Sequence, residues 1–281
     1  MFKNILVCCD GSEEADRNLQ LAVSLAGLGG GRVRGLFVKR FVGPEIATWS
    51  PGLEMGAETP SLLDPALIAE IEAEQEERGR QVAASFSRLV GGNASGLEVV
   101  RGDLMEELVK ASRSADLVVM GRGVRQPEAK TWRLSETTRR VLKKSWAPVL
   151  LPPVAASWRP GGPYLLAYDG SLAANCGLRQ VAQLAALTGG ALTILSVGDA
   201  EVTAAYLKEA QSYLHPYGLN LSLEGRTGKP EAAILELSRE QNFGLVVLGA
   251  HGHHRIKDIL LGTTTEKILH ELDLAFLICS R

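Results

Sequence analysis

The sequence predicts an α/β fold made of two tandem doubly wound domains, each with a five-stranded parallel sheet. Three observations lead there. Short, nearly continuous apolar runs alternate with amphipathic segments along the 281 residues. Such runs suit strands buried on both faces, as in parallel sheets covered by helices. The pattern occurs twice, at a period far beyond the roughly 50 residues of solenoid repeats. Each copy also places Asp-Gly-Ser directly after its first apolar run, at residues 10–12 and 169–171.

In the first copy the strand candidates are "ILVCC" (5–9), "VRGLFV" (33–38), "LEVV" (97–100), "DLVVM" (116–120) and "PVLLP" (148–152). A Pro/Gly-containing stretch lies within residues 41–80, followed by an acidic helix candidate at 66–90. Apolar residues in that helix recur near 3.6 spacing, which puts Glu70, Glu72, Glu74, Glu76 and Glu77 mostly on a wet face. The stretch before it reads as a surface insertion, with a lid or an interface arm as the other options. The basic residues of 122–144 read as a solvated loop and helix face.

In the second copy the strands are "YLLAY" (164–168), "LTILSV" (192–197), "LSLEG" (221–225), "GLVVLG" (244–249) and "FLIC" (276–279). The copies join at "PPVAASWRPGGP" (152–163), a linker composition. Domains are therefore expected at 1–154 and 160–281. The last strand of each half would be an edge, so the two are expected to pair within the chain as a pseudo-dimer. Association of two whole chains on other surfaces stays open.

Apolar residues make up 46% of the chain, enough for real cores, and the net charge is −2. Neither half carries the basic excess of a nucleic-acid binder. No run approaches the 18 apolar residues of a membrane span. The N-terminus lacks a signal-peptide pattern, so a cytoplasmic location is expected. Cys8, Cys9, Cys176 and Cys279 show no metal or redox spacing and read as buried thiols.

The chemistry concentrates in "GAHGHHRIKDILLGTTTEKIL" (249–269). In doubly wound sheets, ligands sit at the carboxyl ends of the strands near the switch point. Gly249 follows the fourth strand there, across from Asp169 after the first. Gly249 and Gly252 can aim backbone amides at a phosphate. Gly262 and Thr263 would open a helix whose N-terminus favours anions. Thr263, Thr264 and His251 add donors. Another reading needs no ligand: Thr263 and Glu266 have capping-box spacing. His251, His253 and His254 lack the neighbouring cysteines or carboxylates a zinc site would use, so no metal ligand is assigned.

Gly249-x2-Gly252-x9-Gly262-Thr263, with "YDGS" and Gly228-Lys229-Pro230, resembles the ATP-binding signature of universal stress proteins. The resemblance spans both halves. It implies ATP as ligand, with Mg2+ as an accompanying ion. Ala167, Asp169 and Val197 would meet the adenine, with Leu248 nearby. Gly249, His251, Gly252, Gly262, Thr263 and Thr264 would hold ribose and phosphates. The first half keeps Gly121 and Ser135 but has Val124 and Leu134 where glycines belong. ATP is therefore expected in the second half alone. The expected function is an ATP-binding stress-response regulator with an unidentified protein partner and no catalytic residues. The alternative is a slow ATPase or an adenylyl-transferring enzyme on the same fold, and a third reading is a scaffold that the nucleotide only stabilises.

Overall fold

A computed structural model describes residues 2–41, 65–126, 131–154, 158–250 and 261–280. The apolar runs form the strands the sequence places there. The first half runs β1 (Asn4–Cys8), α1 (Glu13–Gly29), β2 (Arg32–Lys39), α2 (Pro65–Val90), β3 (Ala94–Arg101), α3 (Leu104–Ala111), β4 (Leu117–Val119), β5 (Gly123–Gln126), β6 (Thr131–Leu134), α4 (Glu136–Lys144) and β7 (Val149–Leu151). The second runs β8 (Tyr164–Ala167), α5 (Leu172–Thr188), β9 (Leu192–Val197), α6 (Ala200–Leu214), β10 (Leu221–Arg226), α7 (Pro230–Glu240), β11 (Leu245–Gly249), α8 (Thr263–Glu271) and β12 (Ala275–Cys279).

Ten strands form one sheet in the order β10-β9-β8-β11-β12-β7-β4-β1-β2-β3. Within each half of this sheet the pairings are parallel, and the switch points fall between β1 and β4 and between β8 and β11. The halves meet where β12 pairs antiparallel with β7. The register is Phe276 with Leu151, Leu277 with Leu150 and Ile278 with Val149. Leu150 and Leu277 thus sit on a pseudo-twofold axis. Pro152 and Pro153 follow β7, and proline cannot donate to a ladder. Helices cover both faces, and one apolar cluster on each face draws residues from both halves.

The Asp-Gly-Ser repeats build the same turn twice. Asp10 Oδ1 accepts the Ser12 N–H at 2.9 Å, and Asp169 Oδ1 accepts that of Ser171 at 3.0 Å. Gly11 and Gly170 take φ of 83° and 74°, a left-handed conformation open to glycine. Ser12 and Ser171 then cap α1 and α5 by accepting the N–H groups of Ala15 and Ala174.

The acidic face of α2 does more than meet water. Glu76 pairs with Lys39 and Glu72 with Arg101, at the ends of β2 and β3. Residues 42–64 lie outside the described set, so the lid-or-arm question falls beyond it. Among the described residues no helix is long and apolar enough to cross a membrane.

One element was not legible. Gly123–Leu134, expected as loop, contains an antiparallel hairpin in which Gly123 pairs with Leu134. Gly123 has φ of 141°, and a Cβ there would lie 2.2 Å from the Arg133 carbonyl oxygen. Only glycine fits that approach. The backbone of β6 rests against α8 of the other half.

The seam is apolar and closed: Leu277 is 2% exposed. Leu277→Ala is expected to cost about 2–5 kcal/mol of stability, the range for emptying a packed leucine site. Urea unfolding measures it. Leu187→Ala, at a position 46% exposed, is the control and should shift stability by no more than about 0.5 kcal/mol.

Candidate functional site

The carboxyl ends of β8, β9 and β11 bring together most of the residues singled out in the sequence. Ala167 ends β8, and Asp169 begins the turn beyond it. Val197 ends β9, while Leu248 and Gly249 end β11. Leu248 is buried, and Ala167 and Val197 pack against the same apolar cluster. Gly262, Thr263 and Thr264 open α8 beside them. His251 and Gly252 lie outside the described residues, as do His253 and His254.

Backbone bonds fix how α8 enters. Ala250 N–H donates to Cys279 O at 2.7 Å, tying the loop start to β12. Gly262 N–H returns to Ala250 O at 2.9 Å. Thr265 Oγ donates to Gly249 O at 2.8 Å and anchors the first helical turn to the strand end. Of the three threonines, this is the one with a structural task, and the sequence did not distinguish it. Gly262 is the N-cap of α8, and among the described residues no side chain caps the helix. The capping-box reading of Thr263 and Glu266 is therefore not the observed arrangement, because Thr263 is already the first helical residue. Among the described residues the first-turn N–H groups have no side-chain acceptor. An uncapped helix start of that kind suits an anion.

The first half repeats the frame and closes it. Ser135 N–H donates to Arg122 O, and Thr138 Oγ to Gly121 O at 3.1 Å. Ser135 therefore occupies the position of Gly262, Arg122 that of Ala250, and Thr138 that of Thr265. This corrects the sequence alignment by one residue, since the hairpin makes the first-half loop longer. Leu134 is not the counterpart of Gly262. Its side chain is 2% exposed and belongs to the core. What replaces Gly262 is a serine whose hydroxyl accepts the Thr138 N–H at 3.0 Å. The helix start that is open in the second half is capped here.

Two further residues close the first-half cleft, and the sequence reading missed both. Glu14, in the first turn of α1, lays its carboxylate over Gly121. A Cβ on Gly121 would lie 2.7 Å from Glu14 Oε1. The carboxylate also accepts the Arg122 backbone N–H. Burial, then the charge of Asp10, push the Glu14 carboxyl above the ordinary range, opposed by Arg17 and Arg122. Counting from the aspartates, Ala173 holds the same place in the second half. That contrast was the available signal.

Arg122 is the second. It is fully buried, which the solvated reading of residues 122–144 did not anticipate. Its guanidinium crosses the seam and donates to the carbonyls of Leu272 and Leu274, each at 2.5 Å, and to Leu269 at 3.5 Å. It lies 4.8 Å from the Phe276 ring centroid and 3.9 Å from Asp273. Burial pulls its pKa down to about 10, with Asp273 and Glu14 opposing. It stays charged at neutral pH.

Among the described residues no group of three or more histidines, cysteines or carboxylates is placed to hold a metal. All four cysteines are free thiols. Burial pushes Cys8 and Cys9 upward, Cys9 to about 12, so neither offers a reactive thiolate.

A family model described as the universal stress protein family matches residues 1–153 and 199–280. A universal stress protein of Synechocystis sp. is 25% identical, over 98% of this chain and 99% of its own length. Among solved structures, a universal stress protein from Archaeoglobus fulgidus has a TM-score of 0.74 at 22% identity, covering 99% of this chain and 96% of that one. One from Pseudomonas aeruginosa reaches 0.65 at 17% identity, covering 99% and 93%.

The raised carboxyl of Glu14 sets a pH dependence. A raised folded pKa means stability that is present at low pH and lost as pH rises through that pKa. Glu14→Gln keeps an acceptor for the Arg122 N–H and removes the titration. Wild type should therefore lose stability relative to Glu14→Gln as pH rises from about 4.5 towards 7. Thermal melts of both proteins across that window measure the difference. A constant gap would refute the assignment.

Proposed function

The chain belongs to the universal stress protein family, and from that premise we propose that its second half binds one ATP, with Mg2+ as the accompanying ion, as a regulatory ligand. The observation that carries this reading is the asymmetry between two equivalent helix starts. Gly262 leaves the amides of α8 open, while Ser135 caps those of α4. Ala173 leaves room over the second-half strand end, where Glu14 fills the first. Ala167, Asp169 and Val197 would flank the adenine, with Leu248 beneath. Gly249, His251, Gly252, Gly262, Thr263 and Thr264 would hold the ribose and phosphates. An unidentified protein partner would read the nucleotide state.

The first half is the silent copy for reasons that reinforce each other. An incoming phosphate would meet a carboxylate already hydrogen-bonded to the Arg122 amide. Each lost hydrogen bond to a charged acceptor weakens binding by about 1.5–3 kcal/mol, roughly a tenfold change or more. Two or three such losses move a micromolar site out of measurable range.

Hydrolysis is expected to be slow. Phosphoryl transfer wants a lysine or arginine on the γ-phosphate besides the metal, and a placed base or water-orienting group. The proposed residues are glycines, hydroxyls and one histidine. Turnover should stay roughly below 0.1 s⁻¹, against an enzyme median of about 10 s⁻¹. Rapid Mg2+-dependent phosphate release from homogeneous protein would instead establish the ATPase alternative.

Calorimetric titration of the whole chain with ATP should give a stoichiometry near one. Gly252→Val should abolish the heat of binding while leaving the circular dichroism spectrum unchanged. Two equivalent sites per chain, or full binding by Gly252→Val, would overturn the reading.

A further inference from the structure

We infer that Arg122 and Arg139 of the first half are positioning residues for the phosphate end of the second-half site, because they hold α8 from across the seam at both its ends. The inference rests on the nucleotide reading above and adds a cross-domain requirement to it.

The α8 helix has nine residues, too few to be rigid by itself in water. Its position relative to β8 and β11 decides whether Thr263, Thr264 and the first-turn amides point at a bound phosphate. Within its own half, Thr265 fixes one point, at Gly249 O. Its own half adds the Gly262 N–H bond to Ala250 O and two longer ion pairs with α7, Lys267–Glu231 and Arg239–Glu271, each at 3.9 Å. The shorter side-chain bonds come from the first half. Arg139 on α4 donates to Glu266 Oε1 at 2.7 Å, one turn into α8. Arg122 receives the other end: the carbonyls of Leu269, Leu272 and Leu274 converge on its guanidinium. A cation at a helix C-terminus also matches the helix dipole. β6 lies along the same helix.

The clamp is asymmetric. Ala250 stands where Arg122 does, so that position sends no guanidinium back to α4. There the matching carbonyls are met by hydroxyls: Ser280 Oγ of the second half donates to Ser145 O at 2.8 Å, and Ser145 Oγ to Ala147 O at 2.6 Å. Arg139 and Glu266 occupy equivalent positions, four residues past their N-caps. A copy that lost its own phosphate loop thus supplies the groups that hold the other copy's loop helix.

The test is calorimetry on full-length protein with two probes, ATP and adenosine, for wild type, Arg139→Ala, Arg139→Lys and Arg122→Lys. Arg139→Ala removes a partly exposed contact and keeps the buried core. If the arginines position α8, Arg122→Lys and Arg139→Ala should weaken ATP binding about tenfold, within the usual range of site coupling. Adenosine affinity should change far less, because adenosine has no phosphate and its base would contact β8 and β9. Arg139→Lys should restore most of the ATP affinity. Equal loss for ATP and adenosine would mean a general structural role and overturn the inference. So would unchanged ATP affinity in both variants. Wild-type protein that ignores ATP would overturn the nucleotide reading itself, and the inference with it.

Discussion

Backbone amides and carbonyls on an apolar sheet edge must find partners, and this chain meets that demand with its own second copy. β7 and β12 are buried at every position. Left open, either would template pairing with another chain. Joined antiparallel, they turn two five-stranded sheets into one of ten strands. Both core clusters then run across the joint. Everything else that the two halves do to each other follows from this contact, since it sets α4 beside α8 and delivers Arg122 to the far side.

A dimer of identical chains would put the same residue on both sides of such an axis. Covalent tandem arrangement lifts that restriction. Arg139 faces Glu266 at equivalent positions, an ion pair that two identical chains would replace by like charges. Arg122 has Ala250 as its counterpart and caps the C-terminal end of α8. The buried guanidinium is acceptable because its Nη1 and Nη2 groups donate to convergent carbonyls and its face meets Phe276. Truncating such a group would leave several acceptors dry, which is why buried charge of this kind is costly to remove.

The parts of this structure that were legible in sequence obey short-range rules. Apolar runs named the sheet strands, and Asp-Gly-Ser named two identical turns. The helix at 66–90 was readable from its period, and α7 from Pro230. The illegible parts depend on what the fold brings together. Arg122 looks like any loop arginine until β7 meets β12. Glu14 looks like an ordinary first-turn acid favoured by the helix dipole. Only the closeness of α1 to Gly121 turns it into a plug. The hairpin was hidden because Val124, Arg125 and Gln126 form no apolar run. Its extra residue also shifted the alignment of Leu134 and Ser135.

On the nucleotide reading, that shift changes how the first-half site would have been lost. A side chain intruding at the third glycine would be a steric block, and trimming it would reopen the site. The observed closure is chemical. Ser135 supplies the acceptor for a first-turn amide of α4, and Glu14 supplies one for the loop amide of Arg122. Donors equivalent to those proposed for phosphate in the second half meet protein oxygens here. On the nucleotide reading, an anion site would be retired without disturbing its backbone frame, by acceptors of the same kind moving into it. The frame survives because Thr138 and Thr265 still tie helix to strand in both halves. With its own donors satisfied, the first-half loop can leave the strand end and become a hairpin, and its following arginine can serve the neighbouring copy.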